Sequence, residues 1–209
     1  MNTLLRNFWG VLFLLLSFSV AAQKEPPGTH PLKPSETGEK HAAFIDNEVV
    51  TVLGWYEFLY WTKRTYGEGS EEYKAILPDS LICSQAYGYY FYSEKYYIPV
   101  PQRYRNFPIV GITYEQVIKY CAWRSDRVNE MLKLKKKKYT VSYALPTEAD
   151  LKEAYKQWKI VYCYPYDRPV SELTAEKMVM IKGWELSFES YQGAGATLGF
   201  RCVAEMHKE

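Results

Sequence analysis

Helix signals in this sequence are separated by stretches rich in proline, glycine and tyrosine, and this arrangement limits the possible folds more than any other feature. Apolar residues recur every three or four positions over 51–66, and Gly67 and Gly69 follow, which predicts a helix that ends there. Thr113-Tyr114-Glu115-Gln116 has the pattern of a capping box, so a second helix begins at Thr113. A third begins at Thr147, where acidic residues suit the positive end of the helix.

Short strand-like runs lie between and after the helices, at 107–112, 139–143, 178–182 and 198–203. Strands and helices do not alternate regularly, which excludes a parallel sheet with crossover helices. We therefore expect an α+β fold with a single core, about three helices and much irregular structure.

The first 22 residues have the three parts of a secretory signal peptide. Arg6 supplies a positive charge, Val11 to Leu16 form a short apolar run, and Val20-Ala21-Ala22 is a small-residue cleavage site. A membrane anchor needs about 20 consecutive apolar residues, and polar residues interrupt this run. We expect cleavage after Ala22, no remaining transmembrane anchor, and a periplasmic or secreted protein.

Residues 23–40 contain four prolines and almost no apolar side chains. Such a segment buries too little apolar surface to offset the entropy lost on ordering, so it is predicted to be an extended linker. The domain is expected to span 41–209.

The four cysteines all follow the predicted signal peptide, and they are 38, 42 and 39 positions apart. An even number of cysteines in an oxidising compartment favours two disulfides, and the spacing leaves all three pairings open. The spacing matches no short zinc motif, and the three histidines are scattered, so no metal site is expected. The cysteines are Cys83, Cys121, Cys163 and Cys202.

The charge balance and the motif search exclude several classes of function. With 26 basic and 24 acidic residues the net charge is +2, which gives no field that would make nucleic acid the expected partner. The sequence contains no nucleophile elbow, P-loop or HExxH motif. No catalytic residue and no cofactor are assigned.

Four segments follow one another in a characteristic order: Phe107 to Val117, Lys119 to Trp123, Ala144 to Ala149, and Leu198 to Cys202. In this order they resemble the motifs of the formylglycine-generating enzyme (sulfatase-modifying factor) domain family. The resemblance covers roughly 41–205 and implies that family's C-type-lectin-like fold, with loops around a small twisted sheet. It also implies a disulfide between Cys121 and Cys202. No motif of the family involves Cys83 and Cys163, which are then left either as a second pair or as two free thiols.

The resemblance does not extend to the cysteine pair on which the chemistry of the family depends. Formylglycine generation resembles a copper-thiolate oxidase reaction, in which two closely spaced cysteines shortly before the closing motif hold the metal. The corresponding stretch here, 183–197, contains no cysteine, and the hydroxyls of Ser187 and Ser190 do not replace the sulfur ligands that Cu(I) prefers. A non-catalytic member is therefore expected.

A binding role has two candidate regions. The closing stretch offers Trp184, Glu185 and Tyr191, and a lysine run offers Lys135, Lys136 and Lys137. A solvated surface is the simpler interpretation of the lysines, and contact with an anionic surface or acidic glycan is the alternative. A tyrosine-rich stretch over 87–104 suits either core packing or recognition.

Three functions remain open at this point. The first is an exported, non-catalytic binding or assembly module whose partner is an envelope protein or a glycan. The second is a scaffold subunit of an envelope machine, because 104–129 and 144–155 are also similar to the domain of gliding-motility and protein-secretion lipoproteins. The third is a formylglycine-generating oxidase or a relative with changed chemistry.

Overall fold

The structure of the protein is a computed structural model that describes residues 25–33, 42–88, 104–158, 170–182 and 186–208. Within these ranges the chain forms an α+β fold of five helices and two small sheets. The helices are α1 (Val52–Tyr66), α2 (Glu71–Lys74), α3 (Ser80–Tyr87), α4 (Tyr114–Leu134) and α5 (Glu148–Trp158). The strands are β1 (Thr29–Pro31), β2 (Phe44–Asp46), β3 (Tyr139–Ala144), β4 (Ser171–Leu173), β5 (Met178–Lys182), β6 (Leu186–Ser190), β7 (Leu198–Gly199) and β8 (Val203–Lys208).

The first sheet joins the two ends of the described chain. Its strand order is β1-β2-β8-β3, and all neighbours are antiparallel. The C-terminal strand β8 lies between β2 and β3, with Ala144 opposite Val203 and Tyr139 opposite Lys208. The second sheet has the order β6-β5-β4-β7, and its β4 and β7 are parallel.

The predicted helix starts are confirmed. The side chain of Thr51 accepts from the Gly54 amide at the start of α1, and Thr113 and Gln116 form both bonds of the capping box at the start of α4. At the start of α5 the Thr147 hydroxyl accepts from the Asp150 amide, and the Asp150 carboxylate accepts from the Thr147 amide. No described helix has both the length and the apolar composition needed to cross a membrane.

The main core is centred on Trp55, which is fully buried in α1. Its indole stacks on Tyr120 of α4 with ring centroids 5.4 Å apart, and it meets Phe200 edge to face. A second apolar cluster lies between the first sheet, α5 and β5, and includes Leu32, Ile45 and Leu151. The two clusters give every described helix longer than one turn a buried face.

The segment predicted as a linker differs from that expectation where it is described. Residues 29–31 form the edge strand β1, paired with β2, and Leu32 is buried in the second cluster. Pro31 is compatible with this place because an edge strand tolerates a residue without an amide proton. The domain therefore includes residues before 41, while 34–41 and the predicted signal peptide lie outside the described residues.

Two predicted strands are wrong in detail. Residues 107–112 form only an isolated bridge between Thr51 and Pro108, in which the Phe107 carbonyl accepts from the Val52 amide and the Ile109 amide donates to the Val50 carbonyl. Farther along the run, the Gly111 carbonyl accepts from the Asp79 amide before α3 and not from a strand. The run 198–203 is divided into β7 and the start of β8, and the residues between them pass from the second sheet to the first.

Candidate functional site

The two cysteines of the family-like motifs lie side by side at the centre of the fold. Cys121 projects from the buried face of α4, and Cys202 precedes β8. Their sulfur atoms are 3.7 Å apart, and both residues are buried free thiols in the structure. The distance shows that the fold brings the pair together, while the disulfide itself stays a prediction.

A buried ionic network surrounds this cysteine pair. Asp46, at the end of β2, accepts from both terminal nitrogens of Arg124 at 2.6 and 2.8 Å, and from the backbone amide of Cys202 at 2.8 Å. Arg201 donates to the Asp46 carbonyl and forms a two-pronged pair with the buried Glu172 of β4. The network joins α4, both sheets and residues 198–202, which we call the closing segment.

The electrostatics of this centre disfavour a nucleophilic or metal-binding role for Cys202. Burial, the neighbouring Cys121 and the carboxylate of Asp46 raise the pKa of Cys202 well above its ordinary value. Burial also raises the pKa of Tyr120. The thiolate is the nucleophilic and metal-binding form of cysteine, so a thiol held protonated is a poor nucleophile and a poor ligand. The arrangement suits a structural tie.

Cys83 has a separate environment. It lies on α3 and its thiol donates to the Val110 carbonyl at 3.3 Å. Burial and the nearby Asp79 raise the pKa of Cys83 to about 12. Its predicted partner Cys163 lies outside the described residues, so that pairing stays a prediction.

The closing stretch is described from residue 186 onward, and Trp184 and Glu185 lie outside the described residues. Ser187, Glu189 and Ser190 are exposed on β6, which pairs with β5. The residues described contain no group of three His, Cys, Asp or Glu side chains arranged to hold a metal ion. The stretch therefore presents hydroxyls and a carboxylate to solvent along a sheet edge.

Tyr191 is engaged in packing. Its hydroxyl accepts from the backbone amide of Tyr114, the first residue of α4, at 3.2 Å. The Tyr114 hydroxyl donates in turn to the Ala175 carbonyl, and the ammonium of Lys177 lies 4.6 Å from the Tyr114 ring centroid. Sequence reasoning missed Tyr114 and Lys177 because they are distant from Tyr191 along the chain.

The predicted lysines lie elsewhere. Lys135 and Lys136 are exposed and Lys137 is half-buried, at the C-terminal end of α4. Tyr191 contacts the N-terminal end of this helix, whose 21 residues span about 30 Å. The structure therefore places Tyr191 and the three lysines at opposite ends of α4.

Comparison with known proteins gives one family. The family model of the sulfatase-modifying factor enzyme 1-like domain matches residues 17–197. No curated protein and no solved structure matches the chain significantly.

Proposed function

Because the chain belongs to the family of sulfatase-modifying factor enzyme 1-like domains, we propose that it is a non-catalytic member that acts as an exported binding or assembly module in the bacterial cell envelope. The observation that carries the proposal is the composition of 183–197. This stretch contains no cysteine, although the family resemblance requires a pair there.

The side chains present do not fit a copper site. The stretch 183–197 offers hydroxyls, carboxylates and aromatic rings, and Cu(I) prefers sulfur. Cys121 and Cys202 are close enough to act together, but both are buried, and the raised pKa of Cys202 keeps its thiol protonated. No reaction step through copper is derived from these residues.

A direct assay tests the absence of catalysis. The protein, reduced and oxidised, is incubated with Cu(I), oxygen and a cysteine peptide of the sulfatase type, and mass spectrometry follows conversion of thiol to aldehyde. We expect no turnover above a control without protein. Turnover that Cys83→Ser or Cys163→Ser abolishes would contradict the proposal and favour the oxidase alternative.

The proposal that the protein is exported rests on the signal-peptide pattern of the first 22 residues. It predicts that the mature chain starts at Gln23. N-terminal sequencing and intact mass of the exported protein measure this. Retention of residues 1–22, or a lipid adduct, would show that the protein stays anchored.

A scaffold role in a gliding-motility or protein-secretion complex is the second candidate, favoured by the similarity of 104–129 and 144–155 to the lipoproteins of such machines. Those lipoproteins carry a lipidated cysteine, and this sequence has none near Ala22. Pull-down from envelope fractions separates the candidates. A defined set of envelope proteins retained with the domain supports the scaffold, whereas a single protein or a glycan supports the free module.

A further inference from the structure

The turn between α4 and β3 concentrates positive charge. We call residues 133–138 the lysine turn; they comprise five lysines and Leu134. The longer stretch 131–144 contains no carboxylate. Lys208 adds a further cation, because β8 places it opposite Tyr139 at the start of β3.

The backbone of the lysine turn is fixed by a helix-ending motif. The amide of Lys137 donates to the Leu132 carbonyl at 3.0 Å, and that of Lys136 donates to the Lys133 carbonyl at 2.9 Å. This is a Schellman motif, in which Lys136 has a φ of 51°. Glycine is the usual residue there, so the chain keeps a charged side chain at a position where it is conformationally unfavourable.

Leu134 distinguishes the lysine turn from an ordinary solvated surface. Its side chain is 85% exposed although it is large and apolar. The preceding acid on α4, Glu130, is paired with Arg127 at 2.7 Å. An exposed leucine among lysines matches a membrane surface, where the acyl region takes the leucine and anionic headgroups take the lysines.

We propose that the lysine turn docks the protein on a membrane surface rich in anionic phospholipid. The inference deepens the proposed function and rests on it, since an exported envelope module faces a lipid leaflet. A soluble acidic glycan would satisfy the lysines and leave Leu134 in water, so the leucine is the feature that favours the membrane.

Vesicle binding of the exported protein tests this proposal. Vesicles of phosphatidylcholine with and without phosphatidylglycerol are sedimented, and the partition coefficient is measured at low and high salt. We expect binding that requires phosphatidylglycerol and weakens with salt. Replacing Lys135, Lys136 and Lys138 together by Gln is expected to lower the partition coefficient by about 100-fold, at about fivefold per lysine.

Matched variants separate this surface from general charge and general hydrophobicity. Lys74→Gln, Lys119→Gln and Lys152→Gln together remove the same charge elsewhere. Leu81→Ala removes another exposed leucine, which is 64% exposed on α3. We expect both controls to bind as the unchanged protein does, whereas Leu134→Ala weakens binding about tenfold. Circular dichroism verifies that each variant is folded.

Three results would overturn the proposal. One is no preference for phosphatidylglycerol. Another is an equal loss in the two triple-lysine variants, which would indicate net charge alone. The third is unchanged vesicle binding by Leu134→Ala together with lysine-dependent binding to a soluble acidic polysaccharide, which would identify a glycan site. None of them alters the pull-down or the oxidase assay, so the broader function is judged separately.

Discussion

Asp46 holds together parts of the chain that are far apart in sequence. Its carboxylate accepts from Arg124 and from the amide of Cys202, and its carbonyl accepts from Arg201. The Arg124 guanidinium also packs 4.1 Å from the ring centroid of Tyr143. Removing one member of an ion pair shielded in this way strongly destabilises the folded protein, because the other charge stays buried without compensation.

Asp46→Ala is expected to lower the free energy of unfolding by about 3–5 kcal/mol, measured by urea denaturation. Glu71→Ala is the matched control, since it breaks the exposed pair with Lys74 and is expected to cost less than about 1 kcal/mol. Similar losses in the two variants would show that the Asp46 network contributes little.

The thiol of Cys83 predicts a stability that depends on pH. The unfolded chain releases this proton near 9.0, and the folded chain keeps it until the pKa of about 12. The unfolded state therefore binds fewer protons in this interval, and stability falls with rising pH by about 1.4 kcal/mol per pH unit for one such group.

Urea denaturation under reducing conditions at a series of alkaline pH values measures the slope. We expect the free energy of unfolding of Cys83→Ala to fall by about 1.4 kcal/mol less per pH unit than that of the unchanged protein. The stability that the variant loses at neutral pH is an offset and does not change this difference in slope. Tyr143, whose pKa burial raises to about 12, contributes to the remaining slope in both proteins. Parallel slopes would contradict the assignment.

Among the elements, those with a local signal could be predicted from sequence. The caps at Thr51 and Thr113 involve neighbours three positions away, and β3 and β5 are runs of β-forming residues. By contrast, α2 is a four-residue helix that is too short for periodicity, and β1 depends on the edge of β2. Elements fixed by distant partners leave no local pattern to recognise.

Lys136→Gly tests the strain in the turn after α4. We expect the free energy of unfolding to rise by about 0.5–1 kcal/mol, because glycine adopts a positive φ without steric penalty. Lys135→Gly is the control: its φ is −82°, so glycine there should lower stability by up to about 1 kcal/mol. A loss in both variants would show that Lys136 makes contacts that outweigh the strain.

At the scale of the whole molecule, the closing segment connects the two sheets. Arg201 pairs with Glu172 in the second sheet and donates to Asp46 in the first. Sequence could predict that 198–202 is important, but not that it crosses between sheets, because the partners are 29 and 155 positions away.

The thiols of Cys121 and Cys202 are expected to join under mild oxidation, because they are adjacent in the folded protein. Their separation of 81 positions gives a stabilisation of about 4 kcal/mol in the loop-entropy account. Non-reducing peptide mapping should find the linkage, and urea denaturation should shift upward on oxidation. The shift of Cys121→Ser/Cys202→Ser protein on oxidation should be smaller by about this amount, since only a pairing of Cys83 and Cys163 would remain.

The position of β8 limits which strand pairs of the first sheet can be completed early. Among the described strands it comes last along the chain, yet it lies between β2 and β3 in the interior of the first sheet. A chain emerging from the ribosome has both neighbours of β8 long before β8 itself, so neither can complete its pairing during synthesis. Deletion of β8 would thus leave β2 and β3 each with an unpaired edge, rather than a slightly shorter domain.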